Sequence, residues 1–248
     1  MNEGQVVEIR AAPGGLAAAR VRCPAAAVPS AGQYLLAWRS EDQEAALAVP
    51  LFLEEGTPDG FLAAPPIPPT WLPGSRLVLR GPLGRGFRLP EGSARVALAA
   101  WGETISRLLP LLTQALQGGA AVTLFTDCPL PVLPAALEIS PLRDLPAALP
   151  WADFLALDLP TRSLPDLPAA LGLRPEAGLP GAGLPGAGLP QAGLPGSGLP
   201  CPAQALLLGP MPCAGMAECG ACAVPSRRGW KLACKDGPVF DWKELTIR

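Results

Sequence analysis

The first ninety residues alternate between apolar and polar positions in short runs: QVVEIRA, LAAARVRCP, QYLLAWRS, ALAVPLFLEE, FLAAPP and RLVLRGP. Runs of this length with a period near two read as β-strands. Turn clusters punctuate them at Pro13-Gly14-Gly15, Pro29-Ser30-Ala31-Gly32 and Pro58-Asp59-Gly60. Six short strands at near-regular spacing predict a small antiparallel barrel. The pattern changes near residue 94. ARVALAAW is a continuous apolar run, as expected of a strand buried on both faces. GETISRLLPLLTQALQGG follows with helical periodicity, ended by Gly118-Gly119, and AAVTLFTD is the next strand. Strand, helix, strand predicts a parallel α/β unit. It reads as a reduced one, because only weak helical runs such as LRDLPAALPWADFLA follow residue 127.

Residues 177–200 repeat with period five, AGLPG-AGLPG-AGLPQ-AGLPG-SGLP. Such a tract buries too little surface to offset its ordering entropy and reads as a flexible spacer whose exact sequence hardly matters. A period of five is too short for a solenoid unit. These breaks divide the chain into a barrel over 1–92, an α/β unit over 93–172, a Gly/Pro linker over 173–202 and a cysteine module over 203–248.

Composition narrows the chemistry. The net charge of −2 over 248 residues gives no electrostatic footprint for nucleic acid. Prolines and charges break every apolar run before it reaches membrane-spanning length. The opening MNEGQVVEIRAA has neither a basic nor an apolar leader region, so the expected compartment is the cytoplasm, where thiols stay reduced. The chain has no histidine. Ser-His-Asp triads, Cys-His pairs and histidine-held zinc enzymes are therefore excluded.

Four of the seven cysteines crowd one C-terminal segment, MPCAGMAECGACAVPSRRGWKLACKDGPVF. Cys213, Cys219, Cys222 and Cys234 are separated by five, two and eleven residues. Four thiolates are a complete ligand set. A three-plus-one layout is close to the plant-type spacing for a 2Fe-2S cluster, with one extra residue between the first two cysteines. Gly215, Gly220 and the neighbouring alanines suit a loop whose backbone N–H groups turn toward sulfur. A tetrahedral zinc site remains open on the same residues, although zinc sites more often repeat a Cys-x2-Cys pair. Cys23, Cys128 and Cys201 are scattered and read as small buried residues.

The segments MPCAGMAECGACAV and KLACKDGPVFDW resemble the iron–sulfur module of the electron-transfer subunit of type B dihydroorotate dehydrogenase, in the ferredoxin reductase superfamily. PSAGQY at 29–34 and LPGSRLVLRGPLGRGF at 72–87 resemble its barrel. The resemblance implies a flavin-type barrel carrying FAD, a Rossmann-like half receiving NADH, and a 2Fe-2S cluster on Cys213, Cys219, Cys222 and Cys234. It implies a hetero-oligomer in which electrons pass to a dihydroorotate dehydrogenase-like catalytic flavoprotein of pyrimidine biosynthesis. On this reading the chain performs no bond chemistry alone.

The departures matter as much. Relatives grip the flavin with an Arg-Pro-x-Ser-like stretch, whereas Val49-Pro50-Leu51 supply neither arginine nor hydroxyl. Gly81, Pro82, Leu83 and Gly84 are the residues kept on the flavin side, which leaves FAD open between loose binding, binding within a complex, and none. Relatives open the α/β half with a glycine-rich loop, whereas this chain keeps only Gly102 between Trp101 and Glu103. A carboxylate at a helix start opposes a pyrophosphate, so NAD is not expected. The reading from a different class is a structural subunit whose four cysteines hold zinc or a redox-silent cluster and anchor a partner.

Overall fold

The computed structural model describes residues 1–41, 47–135, 137–173, 198–213 and 215–246. The AGLPG repeat lies almost wholly outside the described residues. Six strands form the N-terminal half: β1 (Asn2–Ala12), β2 (Leu16–Arg22), β3 (Tyr34–Arg39), β4 (Val49–Thr57), β5 (Gly60–Ala63) and β6 (Arg76–Leu83). They close into an antiparallel barrel in the order β1-β2-β5-β4-β3-β6. Alternation along the strands does the work the pattern predicts. Val6, Val21, Leu35, Ala37, Leu51, Phe61, Leu77 and Leu79 fill the barrel interior. The intervening Tyr34, Leu36 and Phe52 face outward into a second, larger core.

The β4–β5 hairpin turns on Gly60, whose positive φ and close approach to Val21 leave no room for a side chain. Beside the turn, Asp59 receives Arg20 at 2.9 Å and Arg22 at 3.2 Å. The hydrogen bond from Arg20 above all, then that from Arg22, hold the Asp59 carboxyl down at about 2. A depressed carboxyl pKa means the clasp is intact near neutrality and is lost only as pH falls toward 2. An NMR titration of Asp59 should accordingly show a midpoint well below an ordinary aspartate, moving back up in Arg20→Gln.

The second half is a six-stranded sheet. It is built from β7 (Arg95–Ala100), helix α1 (Leu109–Gln117), β8 (Ala121–Thr126), β9 (Glu138–Ser140), the short helix α2 (Leu145–Ala148), β10 (Phe154–Pro160), the short helix α3 (Leu167–Ala170) and β11 (Ala203–Leu208). Then come β12 (Ala223–Ser226), β13 (Gly229–Leu232), the single turn α4 (Ala233–Asp236) and β14 (Val239–Asp241). The sheet order is β14-β11-β10-β7-β8-β9, parallel except for β14 at the edge, and β12–β13 form a separate hairpin. WADFLALDLP, a proline-broken segment by its pattern, supplies the fully buried central strand β10. Residues 203–208 and 239–241, which lie beyond the repeat, complete the same sheet. Pairing partners 33 to 58 residues distant in sequence are invisible to any local window, which is why the α/β half is fuller than its pattern suggests.

The helix also starts later than its periodicity suggests. A 3-10 turn spans Ser106–Leu108 and α1 begins only at Leu109, so Gly102 and Glu103 belong to the loop after β7. Thr104 Oγ1 accepts the Ser106 N–H at 3.1 Å, which satisfies a terminal amide within the chain. Among the described residues no helix is long and apolar enough to cross a membrane.

Candidate metal centre

The cysteines are carried by a loop between β11 and β12 and by α4. The loop turns through three left-handed residues, Gly215, Ala217 and Gly220, with φ of 70°, 65° and 70°. Ala217 is the one non-glycine with positive φ among the described residues. An alanine held there indicates that its surroundings over-determine the backbone. The consequence is visible at sulfur. The neighbouring N–H groups of Cys219 and Glu218 first, then the Cys219 thiol, hold the Cys213 thiol down at about 6. The Cys219 N–H contributes most. Ala221 N–H donates to Cys219 Sγ at 3.5 Å.

Cys222 and Cys234 are buried, Cys213 is half-buried and Cys219 is exposed. Cys222 carries into β12, and its carbonyl accepts Ala233 N–H at 3.0 Å, which brings α4 back over the loop. Burial first, then the neighbouring Cys222 thiol, push Cys234 up to about 12, against the Ala217 N–H. Cys213 thus interacts with Cys219, and Cys234 with Cys222 and more weakly with Cys213. Among the described residues no three Cys, His, Asp or Glu groups are already gathered around one point. The chemistry still fits a thiolate-held group. Four thiols share one small module, and amides already face sulfur on a loop of small residues.

The module is keyed into the barrel by contacts that motif reading missed. Tyr34, the chain's one tyrosine, donates from Oη to the Cys234 carbonyl at 2.9 Å. Burial, then the field of Cys234, raises its phenol well above the ordinary range. The signal was available: a lone tyrosine inside a quoted motif, on a strand's outward position. Gly84, with φ of 74°, lets the Gly237–Pro238 turn approach, since a Cβ there would stand 2.5 Å from the Gly237 carbonyl. Arg85 N–H donates to that carbonyl. Of the predicted flavin residues, Gly81, Pro82 and Leu83 end β6, and Gly84 lies under the cysteine module. Gly84→Ala should cost about 1–3 kcal/mol in chemical denaturation, because strain and overlap coincide. A neutral result would mean the turn can back away from the barrel.

A crevice of about 460 Å³ opens at the carboxyl ends of β7, β10 and β11. Trp101, Gly102, Glu103, Thr104, Arg107 and Arg162 are among its lining residues. This is the switch point of the sheet, where α/β folds bind ligands. Arg107 is held there by Asp158 through Nε at 3.0 Å, and both side chains are almost wholly buried.

A closed antiparallel barrel followed by this sheet defines a protein of ferredoxin reductase fold. A chain of the NADH-dependent reduced ferredoxin-NADP oxidoreductase, a system of flavin-based electron bifurcation, superposes with a TM-score of 0.67 at 16% identity, covering 97% of this chain and 88% of that one. The ferredoxin reductase in carbazole 1,9a-dioxygenase matches at 0.54 and 19% identity over 69% and 63% of the two chains. Phthalate dioxygenase reductase matches at 0.50 and 12% identity over 71% and 65%. At these identities the likeness is one of fold. More particularly, residues 211–246 match the family of the iron-sulfur cluster binding domain of dihydroorotate dehydrogenase B. Comparison with curated proteins finds no match.

Proposed function

We propose that the chain is the electron-transfer subunit of an oxidoreductase complex and carries a 2Fe-2S cluster on Cys213, Cys219, Cys222 and Cys234. The observation that carries this reading is that all four cysteines lie inside residues 211–246, the segment that matches the iron–sulfur family. When bound, such a cluster accepts and releases single electrons at a potential set by hydrogen bonds and burial. The chain's own residues do the rest. The amides of Ala217, Glu218 and Cys219 stabilise negative charge at sulfur, which favours the thiolate needed for ligation. Cys222 and Cys234 sit on the buried side, where water is excluded, and Cys219 faces outward, where a partner can approach. Tyr34 fixes the backbone of Cys234 and so the height of the module above the barrel.

The partner we propose is a dihydroorotate dehydrogenase-like catalytic flavoprotein, in a cytoplasmic hetero-oligomer serving pyrimidine synthesis. The family match supports that choice. Nicotinamide nucleotide does not belong to this proposal. Trp101 and Glu103 line the crevice where glycines would be needed, and the Ser106 amide is already bonded to Thr104. Anaerobic purification tests the central claim. Two irons and two acid-labile sulfides per chain, with visible charge-transfer bands, are expected of this cluster type, roughly, by stoichiometry. One zinc per chain without sulfide would replace this reading by the structural one.

A further inference from the structure

The outer face of β3 and β4 is where the resemblance places a flavin, gripped from the stretch that here reads Val49-Pro50-Leu51. In this chain that face is built over. Leu35, Ala37 and Leu51 point into the barrel, and Tyr34, Leu36 and Phe52 point out, yet these three are also buried. Tyr34 and Phe52 pack with ring centroids 5.8 Å apart and planes tilted by 37°. Their cover is the chain itself.

On one side lies the cysteine loop. A Cβ placed on Gly215 would stand 2.9 Å from Leu36 Cδ1 and 3.4 Å from Tyr34 Oη. On the other side the Ser106–Leu108 turn and α1 pack directly on β4. Glu54, two residues after Phe52 on β4, lies against this turn: burial raises its carboxyl and the Ser106 hydroxyl opposes that shift. Arg107 Nη1 then ties the seam to the barrel by donating to the Pro65 carbonyl at 3.4 Å. The second flavin contact is also spent. The Gly84 carbonyl accepts Gln33 Nε2 at 3.2 Å, and the Arg85 amide is bonded to Gly237.

We infer that the flavin groove of this barrel is closed by the chain's own cysteine loop and interdomain seam, so that the chain carries no flavin. An isoalloxazine ring could enter only by displacing Phe52 or the loop around Gly215. No arginine on Val49-Pro50-Leu51 would hold its phosphates afterwards. One consequence rests on the iron–sulfur reading above. With the cysteine module as its single redox centre, the chain takes one electron from a reduced donor and gives one electron to an acceptor. A hydride carries two electrons and one proton together, and the chain has no flavin to take it up and divide it. The donor is therefore one that gives electrons singly, and NADH in solution is not one.

The test uses the full chain, both iron-free and reconstituted anaerobically with iron and sulfide. Each form is equilibrated with excess FAD and passed through gel filtration. FAD is expected to elute apart from both forms, and tryptophan fluorescence should be unchanged by FAD. Co-elution of about one FAD per chain with either form would overturn the closed groove. Because the iron-free form answers the same question, a chain that holds zinc or no cluster still tests it. In the reconstituted protein, dithionite should bleach the visible bands, and NADH with added FAD should not. Rapid bleaching by NADH and FAD that requires the protein would overturn the single-electron donor.

Discussion

Cys222→Ser should abolish cluster retention while leaving the barrel folded. Iron and sulfide should fall to near zero after anaerobic reconstitution, with far-ultraviolet circular dichroism close to that of the parent. Cys222 is buried, interacts with Cys234, and leads directly into β12, so serine removes a soft thiolate from the closed side of the site, where water cannot substitute well. Serine oxygen is a poor match for iron–sulfur ligation, which relies on thiolates. Cys128→Ser is the control. Cys128 lies two residues past β8 and its thiol donates to the Gly102 carbonyl at 3.3 Å, a bond a hydroxyl can also make. Its cluster content should be unchanged. Equal loss of iron in both variants would point to general unfolding. Retention of iron in Cys222→Ser would remove Cys222 from the ligand set.

Asp158→Ala should be the most destabilising change outside the module. Asp158 is fully buried on β10 and accepts Arg107 Nε with both carboxylate oxygens, at 3.2 and 3.0 Å. Burial pushes the Asp158 carboxyl up, and Arg107 opposes that shift. Removing one partner strands a buried charge, which costs about 3–5 kcal/mol. For a chain of this size that corresponds to a fall of roughly 10 °C in Tm. Arg107→Met should cost a similar amount with a distinct signature. The Asp158 carboxyl would then favour its protonated form in the folded state more than in the unfolded one, so stability should fall as pH rises. Replacing both residues with apolar side chains should recover much of the loss, because the pair's own net contribution is small. Thermal denaturation of the two single variants and the double variant measures the coupling. Strict additivity would show that the two groups do not interact.

The barrel was legible in the sequence because its information is local. Alternation fixes which side chains of β3 and β4 face inward, and Gly-Pro clusters fix where the strands turn. The absence of histidine and the crowding of Cys213, Cys219, Cys222 and Cys234 pointed to thiolate chemistry for the same reason: ligand type and spacing are one-dimensional facts. Helix α1 was legible as a helix but not in its start, because Thr104 takes up the Ser106 amide and Pro110 sits inside the first turn. Residue pattern registers periodicity better than capping.

What only the tertiary structure decided are the contacts between segments distant in sequence. Strand β10 is broken by prolines at its flanks and carries a buried aspartate, yet pairing with β7 and β11 makes it the centre of the sheet. Residues 203–208 and 239–241 look like parts of a cysteine module, and their backbone hydrogen bonds go to the α/β sheet. Tyr34 reads as an ordinary strand residue until its hydroxyl is found on Cys234, 200 positions away. The state of the flavin face follows the same logic. The loss of an arginine near Val49 could be read along the chain. That Gly215 and Ser106 close the groove from two sides could not, because a groove is filled by whatever folds into it, and backbone pairing and burial choose that neighbour in three dimensions.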